Sequence, residues 1–158
     1  MSKVAVGQPV PDFSLPATGD QELRLADFRG DHLVLFFYPK ASTPGCTKEG
    51  LAFADLYPAF QQAGSEILGI SRDGVKAQEN FRGKQAFPFH LLSDKREEIC
   101  TLFGVLKEKT MYGRTSVGIE RSTFLIDADG VLRQEWRGVK VPGHAEAVLA
   151  AVQDLPTT

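Results

Sequence analysis

The sequence predicts an α/β fold in which a central mixed β-sheet is flanked by helices and preceded by a β-hairpin. Short apolar strand patterns alternate with helical patterns along the whole chain, which is typical of α/β proteins. The continuous apolar run His32 to Tyr38 lies between Gly30-Asp31 and Pro39 and predicts a fully buried central strand. The turn Ala128-Asp129-Gly130 separates two further strand patterns and is the clearest hairpin signal.

The first half of the chain contains the N-terminal hairpin and a long helix. Two strand patterns, Phe13 to Leu15 and Glu22 to Leu25, flank a turn and predict the hairpin. From Cys46 onwards the pattern is helical, with apolar residues at i, i+3, i+4 and i+7, namely Phe53, Leu56, Tyr57 and Phe60. Pro58 within this pattern predicts a kink or an early end, and Gly64 favours a helix end.

The second half alternates between strands and helices. The expected elements are a strand at Ser65 to Ser71, a helix at Val75 to Ala86, a strand at His90 to Leu92, a helix capped by Ser93 or Asp94 that runs through Phe103, strands at Arg121 to Asp127 and Val131 to Trp136, and a helix at Ala145 to Val152. Two parallel strands with crossover helices, followed by an antiparallel hairpin, describe a thioredoxin-like sheet. We expect residues 1–158 to form one such domain.

Composition excludes several classes of protein. A net charge of −2, with scattered basic residues, provides no single-sign field for nucleic acid or an anionic membrane. Met1 to Pro11 contain no apolar signal region, and the run Leu33 to Tyr38 is far shorter than the roughly 20 residues of a membrane span. Two cysteines are not a disulfide framework, so we expect a cytoplasmic protein.

Cys46 occupies a position that favours a reactive thiol. It follows the buried strand and the Pro- and Gly-rich loop from Pro39 to Gly45, and it opens a helix. The first N–H groups of a helix have no internal partners, and the helix dipole adds positive potential there, so a thiolate is stabilised. The alternative is that Cys46 is a small, inert core residue.

A reactive thiolate alone does not make a fast catalyst. Lowering a thiol pKa from about 8.5 to about 6 raises the thiolate fraction at pH 7 roughly 30-fold. The less basic thiolate is also a weaker nucleophile, which lowers its rate of attack roughly tenfold. Donors aimed at the transition state are therefore required. The candidates are the Thr43 hydroxyl and the Arg121 guanidinium, with Pro39 and Pro44 stiffening the loop and excluding water. The alternatives are that Thr43 is only a helix cap or turn residue, that Arg121 is a surface arginine, and that both prolines are ordinary turn residues.

The run PKASTPGC, from Pro39 to Cys46, matches the P-x-x-x-T-P-x-C motif of the peroxiredoxins. The segments LVLFFYPK and CTKE resemble the bacterioferritin comigratory protein (BCP) or PrxQ subfamily, and this resemblance extends from GQPVPDFSLP to VKVPGHAEAVL. It implies a thioredoxin-like fold, Cys46 as the peroxidatic cysteine, Thr43 and Arg121 as its partners in binding peroxide, and Pro39 as a shielding residue. It implies neither a cofactor nor a metal.

The chain departs from its subfamily in its second cysteine. Leu51 and Arg82 occupy the two positions at which relatives carry a resolving cysteine, and the remaining thiol is Cys100. We expect Cys100 to be a buried structural residue; the alternative is an unusual resolving partner of Cys46. This departure predicts a one-cysteine peroxidase whose sulfenic acid is reduced by thioredoxin, by glutaredoxin with glutathione, or by another external thiol. We expect a monomer, with a weak dimer as the alternative.

Other functions of a reactive cysteine fit less well. A disulfide oxidoreductase needs a C-x-x-C pair, which Cys46 does not form. A cysteine hydrolase needs a histidine base, but His32, His90 and His144 lie in no recognisable motif, and no zinc-ligand spacing is present. A redox sensor that relays oxidation of Cys46 to a partner remains the alternative to a peroxidase.

Overall fold

The computed structural model describes residues 2–156. The strands are β1 (Ser14–Ala17), β2 (Gln21–Arg24), β3 (His32–Phe37), β4 (Ser65–Ser71), β5 (His90–Ser93), β6 (Leu106–Met111), β7 (Arg114–Ile119), β8 (Ser122–Ile126) and β9 (Leu132–Arg137). The helices are α1 (Pro44–Gln62), α2 (Val75–Gln85), α3 (Glu98–Leu102) and α4 (His144–Gln153), with a 3₁₀ turn at Leu25–Phe28. Within this range no helix is both long and apolar enough to cross a membrane.

Seven strands form one mixed sheet in the order β2-β1-β5-β4-β3-β8-β9. The central strands β3, β4 and β5 are parallel, whereas β8 and β9 add an antiparallel hairpin beside β3. The expected N-terminal hairpin, β1 and β2, continues the other edge of the sheet through β5. The expected mixed sheet with an N-terminal hairpin is therefore present, with three parallel strands rather than two.

Strand β3 separates two apolar cores. Its odd-numbered residues from 33 to 37 face a core that contains α3 and the 3₁₀ turn. The even-numbered residues Val34 and Phe36, together with Tyr38 just after the strand, face a core formed with α1, α2 and α4. Successive strand residues point to opposite faces, so a strand covered on both sides is apolar throughout.

Helix α1 continues past Pro58 to Gln62, so the expected early end is wrong. Pro58 is exposed, whereas Phe53 and Phe60 on either side of it are fully buried. This packing holds the helix together although the proline removes one backbone hydrogen bond. Gly64 follows the helix with a φ of +79°, a left-handed conformation that glycine adopts without strain.

Helix α3 is shorter than expected, since it begins at Glu98 rather than next to Ser93 or Asp94. Glu97, which precedes it, has a φ of +61° and interrupts the helical path. Asp94 nevertheless contributes to the helix start, because its Oδ2 accepts the backbone N–H of Cys100 over 2.7 Å. The side chain caps the first turn from six positions away.

The sequence patterns did not predict the hairpin formed by β6 and β7. This hairpin is a separate two-stranded sheet, with Tyr112 and Gly113 at its turn. Both turn residues have positive φ, 54° and 74°, as a two-residue type I′ turn requires. Its strands are mostly polar and charged and bury apolar side chains only at the base, at Leu106 and Ile119, so they carry no alternating apolar signal.

Candidate active site

Cys46 lies in the first turn of α1, as the sequence pattern predicts. Thr43 is the N-cap residue, Pro44 occupies the first helical position, and Cys46 follows two residues later. The thiol is buried in the same core as Tyr38 and Phe53. It therefore combines the positive end of a helix with an environment that excludes most water.

Arg121 connects β7 to β8 and reaches Cys46 from a distant part of the chain. Antiparallel pairing places Ser122 of β8 opposite Phe37 at the end of β3, next to the loop that leads to Cys46. Arg121 Nη2 lies 3.5 Å from Cys46 Sγ and donates to it. The guanidinium is thus a partner of the thiol rather than a free surface group.

Gly45 permits this approach. A Cβ atom at Gly45 would lie 3.1 Å from Arg121 Nη2, which is tighter than an ordinary contact. A side chain at this position would push the guanidinium away from Cys46. The absence of a side chain at Gly45 in the PKASTPGC run therefore leaves room for the Arg121 guanidinium.

Glu49 is a member of the site that sequence reasoning missed. Its Oε1 accepts a hydrogen bond from Arg121 Nη1 over 2.7 Å, and the residue is only 1% exposed. Oε2 is buried and has no hydrogen-bond partner. Burial raises the pKa of Glu49 to about 7, although the charge of Arg121 opposes this shift. A carboxylate three residues after Cys46, on the same helix face, was the signal that could have revealed it.

Thr43 does not direct its hydroxyl proton at the sulfur. Its Oγ1 donates to the carbonyl oxygen of Lys40 over 2.8 Å, while its own carbonyl accepts the N–H and hydroxyl groups of Thr47. The hydroxyl must rotate to donate to an oxygen bound near Cys46. Thr43 therefore orders the loop in this structure, and its role in binding peroxide stays a prediction.

The loop from Pro39 to Thr43 is anchored by Asp73. The Oδ2 atom of Asp73 accepts the backbone N–H of Ala41 over 2.8 Å and the hydroxyl of Ser71 over 2.5 Å. The next loop residue, Ser42, has a φ of +65°, which costs free energy for a residue other than glycine. Asp73 thus fixes a strained loop. Pro39 is half-buried at the loop start, and its shielding role stays a prediction.

A buried polar network extends this anchor beneath the loop. The Tyr38 hydroxyl donates to Gln78 Oε1, and Gln78 Nε2 donates to Ser71 Oγ over 3.0 Å and to the carbonyl of Leu92 over 2.8 Å. Burial raises the pKa of Tyr38, so its hydroxyl stays protonated. The network connects the end of β3, β4, β5 and α2 to the loop that carries Thr43.

No histidine in residues 2–156 forms a hydrogen bond with Cys46. His90 pairs with Thr18, and the ring of His144 pairs with Thr123 over 2.8 Å. Burial, together with the charge of Arg121, lowers the pKa of His144 to about 4, so it stays neutral near pH 7. A histidine-activated hydrolase is therefore not the chemistry of this site.

Cys100 lies in the other core, against Phe103 and on the opposite side of β3 from Cys46. Burial strongly raises the pKa of the Cys100 thiol, and the neighbouring Asp94 carboxylate adds to this effect. The thiol is thus held protonated. Leu51 is exposed on α1, and Arg82 Nε donates to the carbonyl of Phe89 over 2.9 Å.

Comparison with known proteins identifies the family. The AhpC/TSA family model matches residues 6–135. The chain belongs to the AhpC/TSA family. It is 51% identical to peroxiredoxin Bcp of Xanthomonas campestris over 97% of both chains. It is 40% identical to peroxiredoxin Bcp of Bacillus subtilis over 96% of this chain and 97% of that one.

Solved structures similar to this chain share its fold. Xanthomonas campestris peroxiredoxin Q is 49% identical with a TM-score of 0.89, covering 96% of this chain and 98% of that one. A structure concerned with the alkyl peroxide reduction activity of Xanthomonas campestris bacterioferritin comigratory protein is 52% identical, with a TM-score of 0.86 and coverages of 89% and 90%.

These findings confirm three expectations from the sequence. The thioredoxin-like peroxiredoxin fold is present, the resemblance to the BCP/PrxQ subfamily holds, and the chain is a thiol-dependent peroxidase of the AhpC/TSA family.

Proposed function

We propose that Cys46 is the peroxidatic cysteine and that it reduces hydrogen peroxide and organic hydroperoxides. The observation that carries this proposal is the bridge made by Arg121, which donates to Cys46 Sγ with one nitrogen and to Glu49 with the other. The bridge holds a cation against the thiol at the start of α1. The alkyl peroxide activity described for the Xanthomonas campestris relative supports organic hydroperoxides as substrates.

In the first step, the Cys46 thiolate attacks one peroxide oxygen. The S–O bond forms as the O–O bond breaks, and the leaving oxygen takes a proton to become water or an alcohol. The products are a Cys46 sulfenic acid and one molecule of water or alcohol. Arg121 Nη2 and the unpaired N–H groups at the start of α1 stabilise the negative charge that develops on the oxygens.

In the second step, an external thiol condenses with the sulfenic acid and releases water. A second thiol then breaks the mixed disulfide and restores the Cys46 thiol, leaving the reductant as a disulfide. Thioredoxin, glutaredoxin with glutathione, and small thiols are the candidate reductants. The burial of Cys100 in the opposite core supports an external reductant.

The chain is proposed to act as a monomer. Cys46, Thr43, Glu49 and Arg121 all come from one chain, so the site needs no residue from a second copy.

Peroxide consumption with excess dithiothreitol tests the catalytic role of Cys46. The wild-type protein should consume many equivalents of peroxide, whereas Cys46→Ser should consume none while keeping its circular dichroism spectrum. Cys100→Ser is the matched control and should turn over. Substantial turnover by Cys46→Ser would contradict the assignment. Consumption that stops near one equivalent in the wild type would instead favour a redox sensor.

A further inference from the structure

The hairpin of β6 and β7 extends away from the body of the protein. Every residue from 107 to 117 is exposed, and neither strand pairs with the seven-stranded sheet. An isolated two-stranded hairpin is only marginally stable in water, so its retention calls for a role outside the fold. Only the base of the hairpin packs against the core, through the buried Ile119 and the partly buried Leu106, and residues 107–117 contribute nothing to it.

The register of the hairpin separates its charges by face. Lys107 pairs with Gly118, Lys109 with Ser116, and Met111 with Arg114, and directly paired residues share a face of the sheet. This face, which we call the basic face, carries the side chains of Lys107, Lys109, Met111 and Arg114. Glu108, the only acidic residue of the two strands, alternates to the other face and pairs with Val117.

No salt bridge neutralises the basic face. In the part of the chain that the structure describes, no carboxylate oxygen lies within 4.0 Å of the charged nitrogens of Lys107, Lys109 or Arg114. The two small residues opposite the lysines leave the cations accessible. The chain as a whole has a net charge of −2, so three unpaired cations on one narrow face form a local field of opposite sign.

The tip of the hairpin adds apolar surface to these charges. Tyr112 is 96% exposed and Met111 is 65% exposed, and Tyr112 is held at a φ of +54°. Tyrosine, methionine and arginine are the residues enriched at protein–protein interfaces, whereas a strained, exposed tyrosine contributes nothing to the core. The combination fits a protein partner better than a small ion.

The base of the hairpin adjoins the active site. Glu120 alone separates the end of β7 from Arg121, which contacts Cys46, and the N–H of Glu120 donates to the carbonyl of Val105 over 2.7 Å to close the base. A protein bound along the hairpin therefore sits next to the residue that bridges Cys46 and Glu49. A reductant docked there lies close to the helix start that holds the buried Cys46.

We propose that the basic face docks the acidic surface of a protein thiol reductant and directs that reductant to the Cys46 sulfenic acid. The inference rests on the proposed function, because a one-cysteine peroxidase needs an external thiol to reduce its Cys46 sulfenic acid at every turnover. Opposite charges on the two proteins steer the encounter and raise the association rate, an effect that salt weakens. Met111 and Tyr112 supply the apolar contacts of the docked complex.

The test reverses the charge of the basic face in the triple variant Lys107→Glu, Lys109→Glu, Arg114→Glu. Turnover is measured with a net-negative bacterial thioredoxin, recycled by thioredoxin reductase and NADPH, and separately with dithiothreitol. We expect kcat/KM for thioredoxin to fall at least about tenfold at low salt and to lose most of its salt dependence. Turnover with dithiothreitol should stay within about twofold of wild type, because that small neutral thiol needs no docking.

A second triple variant controls for total charge. Lys76→Glu, Lys84→Glu and Arg96→Glu change the net charge equally at exposed positions outside the hairpin. This variant should keep most of the thioredoxin kcat/KM. The milder Lys107→Gln, Lys109→Gln, Arg114→Gln variant should be intermediate, and it keeps the test valid if three glutamates unfold the hairpin.

The outcomes separate the two proposals. Equal losses in both charge-reversal variants, no loss in the hairpin variant, or a wild type that turns over with dithiothreitol but not with thioredoxin would each overturn the docking surface. Those results would leave the peroxidase assignment intact. A wild type that forms no sulfenic acid with peroxide would instead overturn the proposed role of Cys46, before any reductant is added.

Discussion

Cys46 and Cys100 lie on opposite faces of the central β-sheet, in two separate apolar cores divided by β3. A disulfide between them would require one thiol to cross a fully buried strand, since bonded cysteines need Cα atoms about 4.4–6.8 Å apart. The protein has no other cysteine. This arrangement explains why we assign the reducing step to an external thiol.

Replacing Arg121 with alanine should slow oxidation of Cys46 by about 10²–10³, the usual effect of losing one donor to developing negative charge. Arg121 Nη2 is the side-chain donor that touches Sγ. Stopped-flow kinetics of sulfenic acid formation measure the effect. Arg137→Ala is the matched control, because that arginine is also half-buried but donates to backbone carbonyls near Phe103. An Arg121→Ala rate within about twofold of wild type would show that this residue is misassigned.

Glu49 should make the wild-type protein less stable as pH rises from about 4.5 to about 7. Its ordinary pKa of 4.5 is raised to about 7 in the fold, so in this window the folded state binds a proton that the unfolded state does not. The contribution is fully present below pH 4.5 and is lost as pH passes 7. At about 1.4 kcal/mol for each unit of pKa, the shift from 4.5 to about 7 amounts to at most about 3.5 kcal/mol.

Urea unfolding of wild type and Glu49→Gln at pH 5 and pH 8 measures this contribution. The variant cannot titrate at this position, so its stability should fall less than that of wild type over the same interval. If the difference in unfolding free energy between wild type and Glu49→Gln is the same at pH 5 and pH 8, the assigned protonation of Glu49 is wrong.

Removing the Asp73 carboxylate should slow peroxide attack roughly 10–100-fold, because misplacing reacting groups by about 1 Å has effects of this size. The Asp73→Ala change releases Ala41 and the strained Ser42 in the loop that leads to Cys46. Asp73→Asn keeps one oxygen acceptor and should restore much of the rate. The measurement is the rate of Cys46 oxidation under saturating reductant, compared with the thermal unfolding midpoint of each variant.

Asp127→Ala is the control for Asp73, since its carboxylate also anchors a turn but lies at the β8–β9 hairpin. It should lower the unfolding midpoint without slowing oxidation. If Asp73→Ala and Asp127→Ala lose stability equally and neither changes the oxidation rate, Asp73 is only a structural residue.

Cys100→Ser should keep most of the peroxidase activity with an external thiol and lose about 1–3 kcal/mol of stability. The loss arises because a serine hydroxyl is smaller than the thiol and costs more to bury among the apolar neighbours of Cys100, a cost that the nearby Asp94 carboxylate offsets only in part. Urea unfolding and dithiothreitol-supported turnover measure the two effects. A loss of turnover as large as that of Cys46→Ser would show that Cys100 takes part in catalysis.

The parts of the site that could be predicted from sequence are local ones. The apolar run of β3 and the following PKASTPGC loop place Cys46 at a helix start without any knowledge of distant contacts. The approach of Arg121 depends on the pairing of β8 with β3, which joins segments more than 80 residues apart. The resemblance to the peroxiredoxins implied the contact between Arg121 and Cys46, whereas the spacing of apolar residues along the chain could not.

Two features escaped sequence analysis for physical reasons. Glu49 is charged, and a charged residue on an amphipathic helix is ordinarily exposed, so its burial against Arg121 was unexpected. The β6–β7 hairpin is buried only at its base, at Leu106 and Ile119, and therefore has no alternating apolar pattern. Only its Tyr112-Gly113 turn carries a weak local signal.

Intact-mass analysis after one equivalent of peroxide in the presence of dimedone tests the one-cysteine mechanism most directly. A single dimedone adduct is expected, mapped to Cys46 by peptide mass spectrometry, together with one free thiol at Cys100. Cys100→Ser should give the same adduct, and Cys46→Ser should give none. A quantitative Cys46–Cys100 disulfide in place of the adduct, or an adduct on Cys100, would contradict the account.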